Sequence, residues 1–105
     1  MQTTVTARHC EISALLQERA ATIADRVSVL AIRPISCTIV FDVEGTQFLA
    51  ELRLLDARGD TLVSRGEGPD HRTALDRAEE RLKRQLETAS GRERRARRAP
   101  EVAEG

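Results

Sequence analysis

Aromatic side chains are nearly missing from this chain: it has no tryptophan and no tyrosine, and its only phenylalanines are Phe41 and Phe48. Both fall at core-facing positions of strand-like alternations. No platform is left for stacking the bases of a single strand, so sequence readout is not expected. Cysteine is scarce as well. Cys10 and Cys37 are too few for a disulfide framework, and reduced thiols in a cytoplasmic setting are the expectation. No apolar run approaches the length of a membrane span, and no basic segment followed by an apolar one opens the chain, so no membrane partner is expected.

The residue types that carry catalysis are thin. His9 and Cys10 are adjacent and, in a strand, would point to opposite faces, where they do not readily chelate one ion. A structural zinc wants four spaced ligands, which the sequence does not supply. His71 falls in the first turn of a helix, expected exposed, with no buried nucleophile beside it. Gly66 and Gly68 do not lead into Gly-Lys-Ser/Thr, so there is no phosphate-binding loop. The chain is therefore not expected to be an enzyme, and no metal or cofactor is expected.

Net charge of either sign is also absent, with 17 basic and 17 acidic residues, which taken alone argues against a nucleic-acid partner. Position reverses that impression. Residues 1–70 carry 7 Lys/Arg against 10 Asp/Glu, residues 71–98 carry 10 against 5, and residues 99–105 carry none against 2, giving −3, +5 and −2. The positive end of this dipole lies late in the chain.

That end opens with an amphipathic helix. Leu75, Ala78, Leu82 and Leu86 recur at the 3 and 4 spacing of a buried stripe. At the helical period, Arg77, Arg81 and Arg84 fall together roughly opposite the leucines, while Asp76, Glu80 and Glu87 crowd one flank. Two readings of the arginines stand side by side. They line a surface for phosphate or carboxylate, or they belong to a solvated face partly neutralised by Glu80 with Arg84 and Glu79 with Lys83.

Upstream, Gln2 to Ala7 reads as a short strand rich in threonine. Ser13 is placed to cap a helix whose stripe runs Leu16, Ala20, Ile23, Val27, Leu30 and stops before Pro34. Ile35, Cys37, Ile39, Phe41 and Val43 alternate with Ser36, Thr38 and Asp42 as a strand with one buried face. Gly45 marks a turn. Phe48, Ala50, Leu52 and Leu54 alternate with Glu51 and Arg53, Gly59 marks a second turn, and Leu62 to Gly68 forms a shorter strand in which small Ser64 and Gly66 let a helix approach closely. Asp70 caps the second helix, and Gly91 weakens or ends it. The reading is α+β in the order β-α-β-β-β-α: a four-stranded sheet with both helices on one face, a right-handed parallel crossover and then an antiparallel meander. Residues 1–90 form the one domain, and 91–105 are expected to be a disordered charged tail.

The opening Met1-Gln2-Thr3-Thr4-Val5-Thr6-Ala7-Arg8-His9, then Glu11-Ile12-Ser13 with Leu16, and Phe41-Asp42-Val43-Glu44 carry a resemblance. It continues through Glu67-Gly68-Pro69-Asp70, Ala74-Leu75-Asp76 and Leu82-Lys83-Arg84-Gln85-Leu86. In order, and over residues 1 to about 88, these segments resemble the short form of the ribosome hibernation-promoting factors, the family that includes the ribosome-associated inhibitor A. The resemblance implies a stress-response translation inhibitor that binds the small ribosomal subunit near its decoding region. It implies contacts to ribosomal RNA phosphates from Arg26, Arg33, Arg81, Lys83 and Arg84, and helix geometry adds Arg77. No DNA partner is implied. The sequence departs from the family pattern where Glu87-Thr88-Ala89-Ser90 replaces a Lys-rich stretch, and where Arg72 stands in place of an aromatic residue. Basic residues resume at Arg92, Arg94, Arg95, Arg97 and Arg98, an auxiliary flexible arm. Long members carry a C-terminal dimerisation domain, and pairing of ribosomes by such a domain is not expected of this chain alone. The alternative to ribosome binding is a non-catalytic protein-interaction module, using the tail and the open sheet face with Thr38, Glu51 and Arg65.

Overall fold

The computed structural model describes the side chains of residues 1–88 and the backbone as far as residue 104. The elements are β1 (Gln2–Ala7), α1 (Ala14–Leu30), β2 (Pro34–Glu44), β3 (Gln47–Asp56), β4 (Thr61–Gly68) and α2 (His71–Glu104). α2 runs past Gly91, where the sequence pattern placed its weakening or end, and the side chains of the charged tail expected over 91–105 lie outside the described residues.

The strands lie in the order β1-β2-β3-β4. β1 pairs parallel with β2 because α1 carries the chain back across the sheet between them. Tight turns join β2 to β3 and β3 to β4, which makes both of those pairs antiparallel. Register places Cys37 beside Leu54, Ile39 beside Leu52 and Phe41 beside Ala50, and all six are buried. Against this face α1 packs Ala20, Ile23, Ala24 and Val27, and α2 packs Ala74, Leu75, Ala78, Leu82 and Leu86. Each fully buried Leu or Ile removes enough apolar surface from water to contribute about 1.5–3 kcal/mol.

Local signals set the helix starts. Ser13 accepts the Leu16 N–H at 3.1 Å, and the Asp70 carboxylate accepts the Thr73 N–H at 2.7 Å. Two expected core positions, Leu30 and Ile35, are exposed, and one core residue, Ala24, was not among those expected. Leu30 is 43 % exposed at the very end of α1, where the chain leaves the sheet, and Ala24 takes part in the core in a way the stripe did not include. Ile35 is 48 % exposed because the pairing with β3 shifts register between Pro34 and Ser36, which takes it out of the alternation.

The contact between α2 and β4 is the tightest in the fold. A Cβ on Gly66 would overlap the Ala74 carbonyl oxygen and lie 2.6 Å from the Ala78 nitrogen, both on the α2 backbone. One register step away, the buried Ser64 hydroxyl donates to the Ala78 carbonyl at 2.8 Å. Two small residues thus let strand and helix backbones meet. Gly66→Ala should cost at least about 3 kcal/mol, since only a backbone shift relieves the overlap. Urea unfolding checks this, and a cost below 1 kcal/mol on that scale would mean that the helix rides more freely on the strand than the contact implies.

Candidate nucleic-acid interface

α2 carries its charge on three separate flanks. Toward the outer edge of β4, the Arg77 guanidinium donates through Nη1 to the Glu67 carbonyl at 2.6 Å, and Arg81 donates through Nη1 to the Arg65 carbonyl. Gln85 completes the row, donating through Nε2 to the Val63 carbonyl at 2.9 Å. The periods match: four helix residues advance about 6 Å and two strand residues about 6.6 Å. These side chains satisfy carbonyls that an edge strand otherwise offers to another chain.

The flank facing α1 holds a different set. Arg19 binds Asp76 with two nitrogens, at 2.7 and 3.0 Å. Arg26 embraces Glu79 through Nη2 and Nε, at 3.0 and 2.9 Å, and Lys83 approaches the same carboxylate at 3.5 Å. Glu79 is 7 % exposed, so two cations meet one buried acid between the helices. On the solvent flank Arg84 pairs with Glu80 one turn earlier, at 2.9 Å.

The residues singled out from sequence therefore do not form one patch. Arg77 and Arg81 stand together and exposed beside β4, while Arg84 is held by a carboxylate. The expected position of the first two, opposite the leucines, shifts to the β4 flank because the strand edge offers acceptors there. Arg26 and Lys83 share Glu79 on the other side of the helix. Arg33 lies apart, in the turn after α1, with φ of 49° and a carbonyl that accepts the Ala57 N–H at 2.9 Å. Arg92 to Arg98 lie outside the described side chains. The expected pairs Glu79 with Lys83 and Glu80 with Arg84 are both present, whereas the Arg26 contact to Glu79 and the role of Gln85 were not read from sequence: the helical spacing 77, 81, 85 is visible there, but which flank meets the sheet edge is not.

His71 is buried, not exposed as expected. Its ring lies edge-on to Phe41 and Phe48, with centroids at 5.3 and 4.8 Å, and Nε2 donates to the Asp42 carbonyl at 2.9 Å. The first turn of α2 presents this position inward over the end of β2, where two aromatic faces replace water. His9 follows the end of β1 with φ of 60°, so the opposite-face argument made for His9 and Cys10 as strand residues does not apply. Its Nδ1 meets Asp42 Oδ1 at 3.0 Å, and Cys10 Sγ lies 3.8 Å from His71 Nε2. Among the described residues no group of three or more His, Cys, Asp or Glu is placed to hold a metal ion.

Thr38, Glu51 and Arg65 occupy the uncovered face of the sheet. Glu51 is 7 % exposed there and accepts from Arg53 Nε at 3.1 Å. A pocket of about 50 Å³ on this face is lined by Arg8 and Arg65 but also by Asp42, Glu44, Glu51 and Glu67. Carboxylates outnumber guanidinium groups around it, which disfavours phosphate. Among the described residues no helix is long and apolar enough to cross a membrane.

The described residues form a small α+β domain with two arginines ranked along one exposed helix flank. The family model for Sigma 54 modulation protein / S30EA ribosomal protein matches residues 3–94, and the chain belongs to that family of ribosome-associated proteins. No curated protein sequence matches it. Its fold is similar to that of a ribosomal subunit interface protein from Coxiella burnetii, with TM-score 0.73, 17 % identity and coverage of 87 % of this chain and 99 % of that one. It is also similar to the N-terminal domain of Thermus thermophilus Protein Y, with TM-score 0.70, 23 % identity and coverage of 82 % and 96 %.

Two measurements test the local chemistry. The hydrogen bond from His9, with that from the Val43 N–H, holds the Asp42 carboxyl below the usual carboxylate range, and the Thr73 backbone N–H does the same for Asp70. Folded values below unfolded ones mean that this stabilisation is fully present above about pH 4 and is lost as pH falls through the lowered values. Stability should therefore drop on acidification, and less steeply in an Asp42→Asn, Asp70→Asn variant, as followed by urea midpoints across pH. Burial pushes the Cys37 thiol up to about 11, and Cys37 is fully buried while Cys10 is partly exposed. Native alkylation read by mass spectrometry should label Cys10 first and Cys37 only on unfolding; equal labelling would contradict the buried placement.

Proposed function

We propose that this protein is a translation inhibitor that binds the small ribosomal subunit near the decoding region, laying the exposed cationic flanks of its helices against ribosomal RNA. The observation that carries this reading is the row of Arg77 and Arg81, whose guanidinium groups are exposed and bonded to carbonyls instead of carboxylates. Their charge is therefore not cancelled locally, and it is available to phosphate. The +5 balance of residues 71–98 in the sequence supports an anionic partner. So do the family membership and the names of proteins that share the fold.

Recognition on this reading is by shape and phosphate geometry, because the only two phenylalanines of the chain pack against His71 inside the domain. Arg26 and Lys83, which share Glu79 on the opposite flank of α2, and Arg33, in the turn after α1, make separate contacts on this reading. The inhibitory action is occupancy: a domain seated where messenger and transfer RNA bind excludes them and needs no catalytic group. The place of action is the cytoplasm.

Co-sedimentation with purified small subunits, against a control protein of matched charge, is the direct test. Binding should be selective and weakened by salt. Cell-free translation should fall as the protein is added, in competition with initiator transfer RNA. Unchanged translation at saturating, demonstrated subunit binding would remove the inhibitory role and leave the ribosome as partner; no selective sedimentation would return the chain to the protein-interaction alternative.

A further inference from the structure

The outer edge of β4 does more than receive side chains from α2. We infer that it holds Arg77 and Arg81 as a preset pair that grips two successive phosphates of one RNA strand. This rests on the ribosomal-RNA reading and specifies which groups act and how.

Both arginines use the same nitrogen, Nη1, on carbonyls two residues apart along β4. A guanidinium carries five N–H donors. With one fixed at Nη1, the Nε–Nη2 edge remains, which is the edge that grips a phosphate with two parallel hydrogen bonds. The latch also stills a long side chain before binding, which removes part of the ordering cost that a free arginine meets. The separation of the two heads follows the strand and not the helix surface: two strand residues span about 6.6 Å, comparable with the separation of neighbouring phosphates along one strand of RNA. Gln85, on the Val63 carbonyl, continues the register as a neutral rung. The anionic track is therefore two phosphates long. Arg84 is excluded from it, since Glu80 occupies its guanidinium at 2.9 Å.

A lysine preserves the charge but cannot hold the carbonyl and fork a phosphate together, so conservative variants separate this arrangement from bulk charge. In binding to purified small subunits, Arg81→Lys should weaken affinity by about tenfold, the loss of one charge-assisted hydrogen bond, while Arg84→Lys should bind as the parent does. Arg81→Gln should lower the slope of log affinity against log salt by roughly 0.7–0.9, one phosphate contact, and Arg84→Gln should leave it in place. Equal behaviour of the position 81 and position 84 variants, or an Arg81→Lys protein that binds as tightly as the parent, overturns the inference while leaving ribosome binding intact. A second measurement keeps it testable if the parent does not bind subunits. In nuclear magnetic resonance, the Nε–Hε signals of Arg77 and Arg81 should move together on titration with a short RNA hairpin and that of Arg84 should not. Joint movement without subunit binding would retire the small-subunit reading and keep the phosphate pair; no joint movement would retire the pair.

Discussion

The close approach of α2 to β4 is the constraint on which the rest of the molecule turns. Gly66 leaves room for the helix backbone itself, and Ser64 bonds to it. Because the two backbones meet there, the helix axis is fixed laterally over the last strand. That fixed position decides which residues of α2 reach the sheet edge, which face α1 and which face water. A bulkier residue at 66 would lift the helix, and the core line from Leu75 to Leu86 would lose its fit to β3 and β4 together.

Charge on α2 follows from that placement. A cation's value for binding depends on what already neutralises it, and the helix supplies three different answers within two turns. Arg81 bonds to a carbonyl and keeps its full charge, Arg84 meets an exposed carboxylate, and Lys83 shares a buried one with Arg26. Exposed ion pairs of the Arg84 kind contribute little to stability. The Glu79 cluster is different, since its acid is screened from water and removing it would leave two cations facing each other between the helices. The same network that joins α1 to α2 therefore restrains part of the positive charge.

The far end of the domain is organised around Asp42. Its backbone carbonyl receives His71 and its carboxylate receives His9, so the loop after β1, the middle strand β2 and the first turn of α2 are tied at one residue. Both histidines are thereby accounted for structurally. This tie and the β4 contact hold α2 at two points along its first three turns, which keeps the exposed flank in a constant orientation relative to the sheet.

The order of elements, the parallel crossover, both helix caps and the buried line of α2 were legible in the sequence, because each depends on local periodicity or on a capping residue a few positions away. Even the role of Ser64 and Gly66 could be read, since two small residues in a strand before a helix admit a near neighbour. The positions that sequence misread all depend on partners distant along the chain. His71 is buried by Phe41 and Phe48, Ile35 is turned outward by a register shift against β3, and Arg77 and Arg81 are drawn to the β4 edge by carbonyls that no helical period records. Periodicity gives the angle of a side chain about the helix axis, and so the residues that α2 buries are written in its local pattern. What each remaining cation faces depends instead on the surfaces that folding brings alongside, which no local pattern encodes.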